Sequence, residues 1–210
     1  MAIITKVEIQ KNNKQKVNLF LDDQYYNRVY LDTCVKYGLK VGKNIDIEKL
    51  EEIIFESEIN LATNMAINYA GSAIKTRKQI SDFLKKKDFT EPIIKAVVGK
   101  MEEYKYIDDE QYVISYVNFY GGKYGISKLK NNLKNKGVSE KIIENYFEDN
   151  AEILSEKMED LCTVLAIKKS KNLDMQDNKN IQKVMRFLLS RGFSFDEINH
   201  SIESIKKEGK

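Results

Sequence analysis

Phe83-Leu84-Lys85-Lys86-Lys87-Asp88-Phe89-Thr90-Glu91, Asn132-Leu133-Lys134-Asn135-Lys136-Gly137-Val138-Ser139-Glu140 and Phe187-Leu188-Leu189-Ser190-Arg191-Gly192-Phe193-Ser194-Phe195 are one phrase written three times. Each copy reads as the end of one amphipathic helix and the start of the next. Lys87, Lys136 and Arg191 put a cation in the last turn, where the helix dipole is negative. Asp88, Gly137 and Gly192 follow at the position where a chain leaves a helix through a left-handed residue, which glycine accepts most easily. After one apolar residue come Thr90, Ser139 and Ser194, side chains suited to accept from unpaired amides at a helix start. In the third copy Glu197 completes a Ser-x-x-Glu capping box.

Outward from the phrase, the apolar residues keep the same register. Ile94, Ile143 and Ile198, with Val98, Phe147 and Ile202 one turn on, predict one buried stripe on the helix that follows each copy. Ile80 with Leu84, Leu129 with Leu133, and Val184 with Leu188 predict a buried pair on the helix before it. Two stripes need a third helix to face. The fold expected is therefore mainly α, a tandem array of three three-helix repeats, elongated and curved, with a small N-terminal β-hairpin and helix module. The boundaries expected are 1–60 for the N-terminal module, 61–107 for repeat 1, 108–149 for repeat 2 and 150–210 for repeat 3. Repeat 1 should hold helices near 61–71, 76–87 and 91–104. Repeat 2 should begin at Asp108-Asp109-Glu110-Gln111, an N-cap with a capping-box glutamine, and hold helices near 109–120, 126–136 and 140–149. Repeat 3 should hold a long helix over 151–170, a polar mobile loop over 171–180, and helices near 180–191 and 195–207.

The first 60 residues read differently. Ile3, Thr5, Val7 and Ile9 alternate with other residues, Asn12-Asn13 makes a turn, and Val17, Leu19 and Leu21 alternate again, as in a half-buried hairpin. Asp22-Asp23 predicts a second turn and a third strand from Tyr25 to Val29. A short helix from Asp32 to Tyr37 should stop at Gly38, and Asp46 should open an acidic helix through Glu58. Whether this module docks on the array is open at this point.

Composition limits the chemistry. In 210 residues with 32% charged and net charge +3, Pro92 is the single proline and sits in the first turn of its expected helix, where proline is tolerated. No run of about 18 apolar residues and no signal-like leader is present, so the expected place is the cytoplasm, with no membrane contact. Cys34 and Cys162 lack metal or redox spacing and are expected to be buried apolar side chains. His200 is the one histidine, which excludes a two-histidine metal site. No phosphate-cradling glycine motif is present, and Gly121-Gly122-Lys123-Tyr124-Gly125 joins two helices rather than a strand and a helix. Glu48, Glu51, Glu52, Glu56 and Glu58 read as a solvated helix face rather than a metal site. No catalytic residues, cofactor or metal are expected.

The cations are the informative polar residues. Lys75, Arg77, Lys78, Lys85, Lys86 and Lys87 stand against Asp82 alone, and Lys123, Lys128, Lys130, Lys134 and Lys136 against no acid in their stretch. Both sets fall on the middle helix of a repeat and the loop before it, and Lys179, Lys183, Arg186 and Arg191 repeat the pattern in the third. Stacked repeats would line these up as a basic stripe fit for a polyanion or an acidic protein surface. The blander account is that lysines keep exposed faces soluble and complement helix dipoles. Tyr112, Tyr116, Tyr120 and Tyr124 recur every fourth residue beside these lysines, either to stack on bases or to pack helical units together.

Several of these segments resemble those of the RecX family, regulators of the RecA recombinase. Glu103 to Tyr112 resembles its ELGYLDDERFA segment, Lys123 to Val138 its RKGPRRIRQELRQKGI segment, and Ala66 to Leu84 the stretch before them; the N-terminal hairpin with Phe20-Leu21-Asp22-Asp23 resembles the extension of Gram-positive members. Ile126 stands where the family usually has proline, and Gln79 and Lys128 where it commonly has glutamate. The resemblance implies a non-enzymatic, mostly negative regulator that binds the RecA filament on single-stranded DNA and limits its extension, ATPase and strand exchange, in the setting of DNA repair, homologous recombination and the SOS response. Arg77, Lys78, Lys85, Lys86, Lys123, Tyr124, Lys128, Lys130 and Lys134 are the expected contact surface for RecA or DNA, presented by a monomer. Two rivals stay open: a helical regulator that binds DNA directly without RecA, and a purely structural adaptor.

Overall fold

The computed structural model describes residues 1–71 and 73–208. Four strands and ten helices are found among them. The chain groups into two compact units, one made of residues 1–73 and 80–106 and the other of residues 74–79 and 107–210.

The first unit opens with β1 (Ala2–Ile9), β2 (Lys16–Leu21) and β3 (Gln24–Tyr30), then α1 (Leu31–Tyr37) and β4 (Asn44–Ile45). They form an antiparallel sheet in the order β3-β2-β1-β4. Asp22 and Asp23, both at positive φ (47° and 66°), make the two-residue turn between β2 and β3; this is the backbone twist that suits a tight hairpin. Val17, Leu19 and Leu21 face the core as the alternation predicts. On β1 the buried side chains are Ala2 and Ile4, whereas Ile3 and Ile9 are exposed. The expected inward face of β1 holds at Val7, which packs against the core, and is corrected before it: a bulge between Ile4 and Lys6 shifts the register, and a shift of one residue exchanges the two faces. β4, two residues long and too short to show alternation, was not foreseen.

Asp46 caps α2 (Ile47–Ala70), its carboxylate accepting from the Glu48 amide at 2.9 Å. The helix runs without interruption where sequence reading placed a break at residues 59–60. Nothing around Glu58-Ile59-Asn60 stops a helix: no glycine or proline intervenes, and Ile54, Ile59, Ala62 and Ala66 continue one buried face. Leu50 and Ile54 join the sheet core. The N-terminal module is thus docked within this unit, by α2 and by two contacts near the first phrase. The Tyr30 and Phe89 rings stack at 6.1 Å, and an Arg28 guanidinium nitrogen donates to the Asp88 carbonyl at 3.4 Å. The unit is completed by α3 (Arg77–Lys85), whose first turn groups with the second unit, and α4 (Glu91–Glu103), which packs on α2.

The second unit carries α5 (Asp109–Tyr120), α6 (Ile126–Asn135), α7 (Glu140–Asp149), α8 (Ala151–Ser170), α9 (Asn178–Arg191) and α10 (Phe195–Glu208). α5 packs on α7 and α8 on α10, the same first-with-third pairing as α2 with α4. Both members of all three middle-helix pairs, Ile80/Leu84, Leu129/Leu133 and Val184/Leu188, are completely buried. One apolar core runs unbroken from Val113 through Phe147 and Leu154 to Ile202. Asp108 caps α5 through two amides at 3.0 Å, and Ser139 caps α7. Ser194 and Glu197 close the capping box before α10, with the Ser194 amide donating to the Glu197 carboxylate at 2.6 Å. Thr90 departs from expectation: its backbone is extended, but its hydroxyl accepts no cap bond.

Candidate functional site

Each phrase ends its middle helix through a left-handed residue: Asp88 at φ 63°, Gly137 at 85° and Gly192 at 88°. At the two glycines the bend is also a landing place. A Cβ on Gly137 would strike the Lys78 side chain, and one on Gly192 would strike the backbone of Lys128. The start of one middle helix therefore lies against the end of the middle helix of the next repeat. Hydrogen bonds fix the join: the Thr76 hydroxyl donates to the Lys136 carbonyl at 2.7 Å, and the Gly125 amide donates to the Arg191 carbonyl at 2.9 Å. Donors at a helix start meet acceptors at a helix end, so opposite dipole ends are apposed. Thr76, completely buried, also makes a capping box with Gln79. At the start of α9 no such neighbour serves; Asp177 accepts from the Lys179 amide at 2.9 Å.

The nine residues expected to form the contact surface divide. In the second unit Arg77, Lys78 and Lys123 are exposed, Tyr124 and Lys128 half-buried. Lys123 and Lys128 have no carboxylate partner among the described residues. Lys130 and Lys134, expected to be uncompensated, are ion-paired instead: Lys130 with Glu144, and Lys134 with Glu140 at 2.6 Å. In the first unit Lys85 pairs with Glu91 at 2.6 Å, while Lys86 is exposed and has no carboxylate partner among the described residues. These three lysines are corrected as free cations. Charge counted along the middle helix alone misses the acids on the helix after the turn, which the left-handed reversal folds back onto it. The hydrogen bond to Glu91 raises the Lys85 pKa above its ordinary value, the one to Glu140 does the same for Lys134, and Lys134 in turn lowers that of Glu140. In the third copy, Leu189 and Phe195 occupy the positions of this ion pair, both exposed.

What the second unit does assemble is a ladder of rings and cations along α5. Tyr112, Tyr116, Tyr120 and Tyr124 follow one another at centroid spacings of 6.0, 4.5 and 6.1 Å. The four rings are half-buried and pack against the apolar core, which is the packing role; their remaining edges face solvent beside the cations. Burial, then neighbouring tyrosines, push the Tyr112 hydroxyl pKa up; burial does the same at Tyr116, against a hydrogen bond with Asn132. Lys123 lies 5.2 Å from the Phe119 ring and 5.8 Å from Tyr120, and Arg191 lies 5.6 Å from Tyr124 and 5.2 Å from Phe187. Phe119, 67% exposed, and Arg191 are the members that sequence reading left out of the surface. The Phe119-to-Lys123 spacing of four, reaching from the last turn of α5 into the turn after it, was the available signal for the first. No signal local to Arg191 announced that it would cross to Tyr124. The arrangement offers stacking faces and positive charge together, which is what a flexible polyanion with planar bases requires. No group of three or more potential metal ligands is found among the described residues. No described helix is long and apolar enough to cross a membrane.

Comparison with known proteins gives a consistent result. The model of the "Regulatory protein RecX N-terminal domain" matches residues 2–46, and that of "RecX, third three-helix domain" matches residues 156–202. The regulatory protein RecX of Clostridium botulinum (strain Alaska E43 / Type E3) is 34% identical over 206 residues, covering 97% of this chain and 96% of that protein. That of Bacillus subtilis (strain 168) is 32% identical over 216 residues, covering 99% of this chain and 79% of the relative. A crystal structure of a regulatory protein RecX superposes with TM-score 0.66 at 25% identity, covering 97% of this chain and 100% of the other. That of RecX from Lactobacillus salivarius gives 0.64 at 27% identity, over 72% of this chain and 98% of the other.

Proposed function

Because this chain belongs to the RecX family of regulatory proteins, we propose that it regulates the RecA recombinase without catalysing a reaction itself. In this reading it binds the RecA filament on single-stranded DNA as a monomer in the cytoplasm. It limits filament extension, and with it ATP hydrolysis and strand exchange. The observation that carries the reading is the ladder on α5, where Lys123 and Arg191 lie over the rings of Phe119, Tyr120 and Tyr124 with Lys128 unpaired nearby in sequence. A ligand can shift a filament equilibrium only by binding one state better than another. A surface that stacks and neutralises at once discriminates a strand held by recombinase from a bare protein surface.

The test is RecA ATPase on single-stranded DNA with increasing amounts of this protein. The native chain should lower the rate, and Lys123→Glu/Lys128→Glu should need about tenfold more protein for the same effect. Lys130→Gln/Lys134→Gln, which removes cations already paired with acids, should change the curve much less. Equal inhibition by the folded Lys123→Glu/Lys128→Glu variant would remove the ladder from the account.

A further inference from the structure

We propose that the first unit holds a second contact of its own, a site for one nucleotide of a single-stranded nucleic acid, between the start of β2 and the end of α3. A cavity of about 380 Å³ lies there, within the first unit. Its polar wall carries Lys14, Lys16, Lys86 and Lys87, and its apolar wall Leu31, Leu61 and Met65 beside Tyr30. Asp32 and Asp88 are the acids on the wall, so four cations face two carboxylates.

Lys16 is the decisive residue. It is only 6% exposed, yet its ammonium pairs with no carboxylate and lies 4.9 Å from the centroid of the Tyr30 ring. Among the described residues no buried side-chain nitrogen or oxygen is left without a hydrogen-bond partner, so the Lys16 ammonium, which has none among them, retains access to solvent, and the cavity is the opening it lines. Burial lowers its pKa, the Arg28 charge adds to that, and Asp88 and Glu58 oppose it. A cation whose stem is buried and whose ammonium opens on the cavity is held in place to meet an anion there, and a bound phosphate supplies one. Lys14, Lys86 and Lys87 are exposed and also lack carboxylate partners among the described residues. Three cations on the rim exceed what one phosphate needs and suit the flanking phosphates of a strand. The apolar wall beside a tyrosine suits a base or sugar and gives a purely acidic peptide nothing to fill. The cavity is within the range of small-ligand sites.

The site deepens the reading above and rests on it for the choice of a single strand. It is tested without recombinase, so that the two can fail separately. The full-length protein is titrated into fluorescein-labelled oligo(dT) and followed by anisotropy at several salt concentrations. Lys14→Glu/Lys86→Glu should weaken binding about tenfold and reduce the salt slope by about 1.4, the value for two lost phosphate contacts on a single strand. Lys16→Met, with its melting temperature checked, should weaken binding while leaving the rim intact. Unchanged affinity in both folded variants, or no binding by the native chain, overturns the site and leaves the ATPase test untouched. Equally tight binding of thymidine 5′-monophosphate overturns the assignment to a strand, and equal competition by polyglutamate overturns the assignment to a nucleotide.

Discussion

Gly137 and Gly192 share a left-handed backbone and a close neighbour, so substitution meets both demands at each. Gly137→Ala places its methyl against Lys78 Cβ and Gly192→Ala against the Lys128 backbone, neither of which can swing aside. Each should therefore cost clearly more by urea unfolding than the left-handed backbone alone, about 1 to 2 kcal/mol; a loss no greater than that would show that the neighbour gives way. Glu58 gives a pH-dependent case. Burial raises its carboxyl pKa above the ordinary 4.5, against the pull of Lys16 and Arg28. The folded state therefore holds this proton more tightly, and the associated stability is lost as pH rises from about 4.5 through the raised value. Glu58→Gln should raise the melting temperature at pH 8 and have little effect at pH 4; the reverse order would contradict it. At this scale the sequence was clearest where one residue type has one use. The left-handed residues of all three phrases, the capping box at Ser194 and the buried Cys34 and Cys162 were readable because each depends on its own neighbours in the chain. Lys16 was not, since its burial is imposed by β3 and α2.

Helices are stabilised here at their ends by one another. Thr76→Val keeps the shape of the side chain but removes the hydroxyl that bonds the Lys136 carbonyl and caps α3. The loss should be about 1 to 2 kcal/mol in chemical denaturation, with Thr76→Ser much closer to the native chain. A loss in Thr76→Ser with none in Thr76→Val would show that the methyl, not the hydrogen bond, matters. The starts of α5 and α7 follow from the Asp108 and Ser139 caps that the sequence displays. α2 reads as two elements where composition changes near residue 60, but a change of composition does not by itself end a helix, and no glycine or proline intervenes there. The ion pairs Lys85–Glu91 and Lys134–Glu140 escaped notice for a related reason: each joins two helices six positions apart in sequence, and such partners become neighbours only after the chain reverses.

Across the whole molecule, each unit has an apolar core of its own, one around Leu19 and Leu50 and one from Val113 to Ile202. The repeat boundaries at 107/108 and 149/150 are proposals about folding, and the second is the weaker, because the core crosses it. Residues 107–210 alone should give a helical circular dichroism spectrum and a single cooperative urea transition; residues 150–210 alone should not. A cooperative transition in the shorter piece would assign independent folding to repeat 3. The register of cations was legible as a sequence pattern, since lysines recur on each middle helix. Which of them remain available was not, because compensation depends on the adjoining helix.

Within the second unit the start of α3 meets the end of α6 and the start of α6 the end of α9, whereas the start of α9 is finished differently. Asp177 supplies from within its own turn the acceptor that Lys136 supplies for Thr76 and Arg191 for Gly125. Lengthening this row by another module beyond α9 would thus require erasing that terminator, so where the row stops is written into a residue that no single module needs.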